Sequence, residues 1–256
     1  MKKNKKIVCI IPARLASTRF PRKMLTTLQG RPLLSWVWDA AQATGIFDEV
    51  VFAVDTEEIA AVVKSFGGKF LMTSIDCQAG TDRLVELAVH GKIEADIWVN
   101  WQADEPFIVK PMIESLLQSI DNEVEESWTL KKLIQNPREI FAPNISKVVC
   151  NKDGFAMYFS RAPIPFFRDE SNPEVLVTKK AYYKHVGLYA YRTSALNKIA
   201  LMRSSILEDA EKLEMLRFLD HNLKIRVHET EYEVMGIDTP EDLAKAEGWA
   251  AKIVAR

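Results

Sequence analysis

Lys6-Ile7-Val8-Cys9-Ile10-Ile11-Pro12, with Ala13-Arg14 behind it, decides the reading of this chain. A β-branched run that stops abruptly at a polar loop is the pattern of a strand buried on both faces. Downstream, the periodicity predicts a helix over 32–43, with Pro32 at its start and Gly45 past its end. A strand over 49–54, a helix over 56–66 closed by Gly67-Gly68, and a short strand over 69–73 follow. A helix over 81–90, a strand over 96–101 and a helix over 111–120 continue the alternation. Strands interleaved with helices imply an α/β fold whose parallel sheet is covered on both faces.

From about 128 to 191 the text changes, with short apolar runs, frequent prolines and little helical period. Strands are predicted over 147–151, 156–161 and 185–191, with an irregular loop over 163–173. This reads as an antiparallel lobe inside a single domain, 1–256. Helices over 194–202 and 209–220, a strand over 223–229 and a strand-like 234–237 follow. Thr239, Pro240 and Asp242 then carry the signature of a helix start.

The 256 residues hold 34 Lys+Arg against 35 Asp+Glu and are 48% hydrophobic, an ordinary globular composition. The formal charge of −1 argues against a dedicated nucleic-acid binder but leaves room for a local phosphate pocket. No apolar run approaches the roughly 20 residues that span a bilayer. The basic start, Lys2-Lys3-Asn4-Lys5-Lys6, precedes an apolar stretch too short for a signal-peptide core, so a cytoplasmic address is expected. Cys9, Cys77 and Cys150 are odd in number and widely spaced, which suggests neither disulfides nor a zinc site.

No G-x-G, Walker loop, H-E-x-x-H or G-x-S-x-G occurs. The ligand must then be held some other way, and open α/β sheets bind at the carboxyl ends of their strands. After the first strand come Arg14, Ser17, Thr18, Arg19, Arg22 and Lys23, four cations and two hydroxyls suited to a polyphosphate. After the fourth come Gln102-Ala103-Asp104-Glu105-Pro106, an acidic pair placed to hold Mg²⁺. Read alone, that pair equally fits a helix start, as does Asp238 before the last helix. Taken together, a basic loop and two strand-end acids suggest a metal–polyphosphate site for phosphoryl or nucleotidyl transfer.

Ile11-Pro12-Ala13-Arg14, Ser17-Thr18-Arg19-Phe20-Pro21 and Lys23 resemble the opening motif of the 3-deoxy-manno-octulosonate (Kdo) cytidylyltransferases, or CMP-Kdo synthetases. Further matches follow in the family's order: Val54-Asp55, Gly80-Thr81-Asp82-Arg83, Asp104-Glu105-Pro106, Tyr158-Phe159-Ser160-Arg161, His185-Val186-Gly187-Leu188-Tyr189, Leu213-Glu214 and Asp238-Thr239-Pro240. The resemblance covers nearly the whole chain. It implies a Rossmann-like nucleotide-diphospho-sugar transferase fold, with a mixed, mostly parallel central sheet and an antiparallel lobe that makes a homodimer. It also implies transfer of CMP from CTP to the anomeric oxygen of an acidic eight-carbon keto-sugar, with release of pyrophosphate, for lipopolysaccharide biosynthesis. Magnesium is the implied cofactor; no nucleic-acid or membrane partner is implied.

By resemblance, Arg14 and Lys23 hold the CTP phosphates, with Ser17 and Arg19 nearby, and Arg83 lies on the nucleotide side. Gln102 sits at the nucleotide–sugar junction. Asp104 and Asp238 match the magnesium ligands, and with Arg14 and Lys23 form the implied catalytic set. His185, Tyr189 and Glu214 match the sugar pocket, with Arg161 a candidate for the sugar carboxylate. Outside the resemblance, His185 equally fits a hydrogen-bonded core histidine, Tyr189 a packing residue and Glu214 a solvated helix face.

Three departures stand out. Arg22 replaces a usual glycine, so the loop path is expected to differ or to gain charge near the phosphates. Ala103 replaces another glycine, and its methyl is expected to crowd the nucleotide or alter the turn. Met215 replaces an amide expected to face the sugar. A modified Kdo, such as an 8-amino-8-deoxy form, is one reading of these changes; drift with Kdo retained is the other. A sialic-acid-like substrate and a non-catalytic nucleotide-binding protein are the remaining alternatives.

Overall fold

The computed structural model describes residues 5–17 and 19–254. Thr18 and the start of the chain, Lys2, Lys3 and Asn4 included, lie outside them. The chain forms two compact units, one of residues 1–113 and 234–256, the other of 114–233. The lobe expected at about 128–191 falls inside the second.

In the first unit, β1 (Ile7–Ala13) is almost wholly buried. It is followed by a small hairpin, β2 (Thr27–Leu28) and β3 (Arg31–Pro32). Gln29 and Gly30 both have positive φ there, as a tight two-residue hairpin turn requires. Next come α1 (Leu33–Ala43), β4 (Glu49–Val54), α2 (Glu57–Ser65), β5 (Phe70–Met72), α3 (Gly80–Val89) and β6 (Ile97–Asn100). The helix α4 (Lys110–Leu116) carries the chain onward. The predicted alternation holds, with most ends shifted by a residue or so, except that the helix expected over 111–120 ends four residues early, at Leu116. Thr56 caps α2, its Oγ1 accepting from the Ile59 N–H at 3.4 Å.

β1 pairs in parallel with β4 on one side and β6 on the other, and β4 pairs with β5. The chain leaves β1 toward β4 and β5 and returns to lay β6 on β1's opposite edge. The reversal opens a crevice at the carboxyl ends of β1 and β6, where such sheets bind ligands. Gly80, at the start of α3, comes so close to that crevice that a Cβ would lie 3.3 Å from Pro12.

The second unit contains β7 (Ser127–Leu133), α5 (Pro137–Ile140), β8 (Lys147–Cys150), β9 (Ala156–Ser160), α6 (Pro173–Thr178) and β10 (Tyr183–Arg192). It continues with α7 (Thr193–Ile199), α8 (Ile206–Glu211), α9 (Met215–Asp220) and β11 (Ile225–Glu229). β10 runs antiparallel to β7 and β8, and β8 to β9, while β11 runs parallel to β7. The antiparallel character expected here is present, together with β7 and two short helices that the sequence pattern did not reveal.

Two expectations need correction. The single helix over 209–220 is two, because Lys212 turns left-handed (φ 52°, ψ 48°) and ends α8. The strand-like 234–237 pairs with no strand; its Ile237 N–H instead donates to the Asp104 carbonyl at 2.9 Å. The chain then enters α10 (Pro240–Val254), where Thr239 and Asp242 form a reciprocal cap.

Arg22 also adopts a left-handed backbone (φ 58°, ψ 26°), the conformation a glycine takes without strain. Holding a non-glycine residue there costs roughly 1–2 kcal/mol. The exposed Arg22–Glu58 ion pair returns little of this. Arg22→Gly is expected to raise the melting temperature by about 2 °C, partly offset by the freer unfolded chain. A lower melting temperature would show that the Glu58 pair outweighs the backbone strain.

Candidate active site

Residues after β1, after β6, before α3 and before α10 line a cavity of about 230 Å³ in the first unit. Arg14, Ser17, Arg19, Lys23, Arg83, Gln102, Asp104 and Asp238 all face it. These are the eight residues assigned to the nucleotide and the metal from the sequence.

Lys23 is the centre of the arrangement. Its ammonium donates to Asp104 Oδ2 at 2.6 Å and to Asp238 Oδ1 at 3.0 Å. Two acids more than a hundred residues apart therefore converge on one cation. The Ile237–Asp104 backbone bond is what brings them there, and Ile237 is anchored in a core with Leu28, Leu33, Trp36 and Phe107. The Lys23 side chain is 6% exposed, against 23% for Asp104 and 40% for Asp238. Burial works against the ammonium, but the charges and hydrogen bonds of the two carboxylates outweigh it and raise its pKa. Arg19 adds a second cation on Asp238, at 3.0 Å.

Glu105, beside Asp104, is the opposite case. Burial, then the Asp104 and Asp238 charges, push its carboxyl up to about 8. At neutral pH it is largely a neutral acid within an otherwise charged cluster. The sequence pattern placed Glu105 in the acidic pair but gave no sign of this difference.

Gln102 donates to Asn100 Oδ1 at 3.2 Å, which fixes it just past the end of β6. Arg14 reaches across the cavity to the Gln78 carbonyl at 3.3 Å. Arg83 lines the wall, but its guanidinium is engaged by Asp55, Thr73 and Ser74. Arg22 does not add charge at the phosphate side; it pairs with Glu58 on α2. Ala103 is buried and lines the cavity, and its backbone is not left-handed, so its methyl sits there without backbone strain.

Apart from Gln102, the sugar-side assignments fall in the second unit. His185 and Tyr189 are four residues apart on β10, about 13 Å in a regular strand. A register shift between Val186 and Tyr189 folds the strand so that their ring centroids lie 5.3 Å apart. Tyr189 also stacks on Tyr191 at 5.7 Å. His185 is held by Thr129 Oγ1 at 3.0 Å, and burial pushes its imidazole down to about 3, so it is neutral. Burial raises the Tyr189 hydroxyl well above its usual range, with Tyr191 and the Glu214 charge adding to the shift. Glu214 and Met215 open α9 directly after the Lys212 break, and Met215 is buried. The structure thus brings His185 and Tyr189 into ring contact, with the Glu214 charge acting on the Tyr189 hydroxyl.

Arg161 donates from Nε to the Glu211 carbonyl at 2.7 Å and from Nη1 to the Pro143 carbonyl at 3.0 Å. Its backbone N–H bonds the Glu211 carboxylate. It therefore holds the end of α8 in place, a structural duty that the sequence did not show.

Among the described residues, no group of three or more His, Cys, Asp or Glu side chains forms a ready metal cage. Asp104 and Asp238 nevertheless fit magnesium, which typically takes one or two carboxylates and completes its shell with substrate phosphates and water. Four cations, of which Arg83 is already paired with Asp55, and two carboxylates line a pocket that can take a triphosphate and a divalent ion together.

Residues 8–225 match the family model described as cytidylyltransferase. The chain is 45% identical over 245 residues to the 3-deoxy-manno-octulosonate cytidylyltransferase of Geobacter metallireducens, covering 94% of this chain and 96% of that protein. It is 44% identical to the protein of the same name from Pelobacter propionicus, over 94% and 95% of the two chains. A solved CMP:2-keto-3-deoxy-manno-octonic acid synthetase, complexed with CTP, superposes with a TM-score of 0.88 at 39% identity, covering 96% of this chain and 99% of that one. A 4-diphosphocytidyl-2C-methyl-D-erythritol synthase from Anaerococcus prevotii has a TM-score of 0.60 at 12% identity over 97% and 100% of the chains, a likeness of fold alone. With its cation-lined crevice and matched length, the chain belongs to the 3-deoxy-manno-octulosonate cytidylyltransferases, a family of nucleotidyltransferases.

Proposed function

We propose that this protein transfers CMP from CTP to the anomeric C2 hydroxyl of Kdo or an amino-substituted Kdo, releasing pyrophosphate. The observation that carries this is the meeting of Asp104 and Asp238 on Lys23 inside the cation-lined cavity. The sugar oxygen bonds to the α-phosphorus, the bond from that phosphorus to the bridging oxygen of pyrophosphate breaks, and the hydroxyl proton passes to solvent. Magnesium, held by Asp104 and Asp238, would supply charge neutralisation at the phosphates. Arg14, Ser17 and Arg19 bind and orient the triphosphate from the loop after β1. Lys23, bound to both acids, is close enough to exchange them for phosphate oxygens. Gln102 orients the nucleotide at the crevice, and Arg83 backs the wall behind it.

His185, Tyr189 and Glu214 would present a neutral imidazole, a hydroxyl and a carboxylate to the sugar. Met215 removes one amide from that set, and a polar sugar group left without a partner there costs roughly 1–3 kcal/mol. The carboxylate of Glu214 suits a sugar carrying an ammonium. The product would feed lipopolysaccharide assembly from the cytoplasm, and the protein would act as a homodimer through its second unit. None of the helices described is long and apolar enough to cross a membrane.

Pyrophosphate release across four nucleoside triphosphates and a panel of Kdo, 8-amino-8-deoxy-Kdo and a nonulosonate tests the reading. CTP with an eight-carbon acid is the expected pair, dependent on Mg²⁺. A preference for 8-amino-Kdo that Met215→Gln shifts toward Kdo supports the modified sugar; a clear wild-type preference for Kdo removes it. Turnover only with the nonulosonate, or none with any sugar, overturns the function. A monomer in sedimentation of the same preparation would remove the dimer.

A further inference from the structure

Asp55 follows β4 at the carboxyl edge of the sheet and does not line the cavity, yet it bonds to both of its walls. Its side chain is 4% exposed, and that of its partner Arg83 is 2% exposed. Asp55 Oδ1 accepts from the backbone N–H of Leu15 at 3.1 Å. Asp55 Oδ2 accepts from Arg83 Nη2, also at 3.1 Å. Leu15 belongs to the loop that carries Arg14, Ser17 and Arg19. Arg83 belongs to α3, whose leading residues Gln78, Ala79 and Gly80 form the facing wall. Arg83 is itself pinned by Thr73 Oγ1 at 2.6 Å and by the Ser74 carbonyl at 3.0 Å. A single buried carboxylate therefore joins the cationic loop to the helix opposite. Three residues on, Glu58 pairs with Arg22 near the far end of the same loop.

We infer that Asp55 is a positioning residue that sets the spacing of the triphosphate cavity by holding Leu15 and Arg83 at once. The inference rests on the reading of this cavity as the nucleotide site. Among the described residues, the loop after β1 has no regular structure until Lys23, and its arginines are exposed. Left free, such a loop loses backbone freedom each time a ligand orders it, and this loss weakens binding. Anchored beforehand at Leu15, it presents Arg14 and Ser17 already in register with the far wall. The charge on Asp55 matters as well as its shape, because its second oxygen faces a buried guanidinium.

Asp55→Asn keeps the size but cannot satisfy both partners: its amide either points a donor at Arg83 or turns one toward the Leu15 N–H. Steady-state kinetics of the intact protein should then show KM for CTP raised tenfold or more. At saturating CTP, kcat should stay within threefold of wild type, with KM for the sugar unchanged. A merely structural role would lower the folded fraction, and so kcat, without moving KM for CTP. Thr73→Val removes one anchor of Arg83 and leaves the Leu15 bond, so a smaller rise of a few-fold in KM is expected. Should Asp55→Asn not fold, Thr73→Val decides the question. A KM for CTP within twofold of wild type in the folded Asp55→Asn, or in Thr73→Val where that variant decides, overturns the inference. Calorimetric titration of wild type with Mg²⁺–CTP separates the two levels. No binding there sinks the nucleotide reading itself, whereas normal wild-type binding with an unaltered variant sinks only the role of Asp55.

Discussion

Asp104→Asn and Asp238→Asn are each expected to lower turnover by about a thousandfold or more, equivalent to about 4 kcal/mol of barrier, while leaving the protein folded. The two side chains converge on Lys23 at 2.6 and 3.0 Å and come from the segments after β6 and before α10, linked by the Ile237–Asp104 backbone bond. An amide keeps the shape and one acceptor but loses the charge that a divalent ion requires. Lys23 retains its other carboxylate in either variant, so the buried ammonium is not stranded. The melting temperature should therefore fall by only a few degrees. CTP-dependent pyrophosphate release and a thermal melt on the same samples check this. Near-normal turnover in either variant would remove that residue from the metal site.

Lys23→Met is expected to cost a hundredfold to a thousandfold in kcat/KM for CTP, and its effect on stability should respond to magnesium. Without the ammonium, Asp104 and Asp238 face each other uncompensated apart from Arg19. Asp238 is 40% exposed, so solvent screens much of the repulsion and the loss of stability should be about 1–2 kcal/mol. Millimolar Mg²⁺ without nucleotide should restore more of the melting temperature in Lys23→Met than in wild type, because in wild type the lysine already neutralises both acids. Equal responses of the two proteins would show that the carboxylates do not act as a shared cation site. Unchanged kinetics for CTP would remove Lys23 from phosphate binding.

Much of the first unit could be read directly from the chain. Buried parallel strands are continuous apolar runs, and Ile7–Ala13, Glu49–Val54 and Ile97–Asn100 show them clearly. Helix starts announce themselves through Thr56 and Thr239, whose hydroxyls cap the N–H groups that a helix leaves unpaired. The second unit was harder to read. Lys212 adopts a left-handed conformation that no local pattern demands of a lysine, so two helices read as one. The shift in β10 inserts residues between His185 and Tyr189, and periodicity alone places those rings far apart. Arg161 carried the right charge for a sugar acid, but its donors go to backbone carbonyls that lie distant in the chain.

The amino-acid sequence by itself determined the alternating strands and helices of the first unit, the edge of the sheet that carries the chemistry, and the residue types gathered there. Those depend on local preferences and on where each strand stops. Only the tertiary structure decided that Lys23 joins Asp104 to Asp238, that Arg22 turns to Glu58, and that Asp55 holds both Leu15 and Arg83. Partner choice among charged groups depends on distance and burial, which are set by how segments far apart in the chain pack against one another.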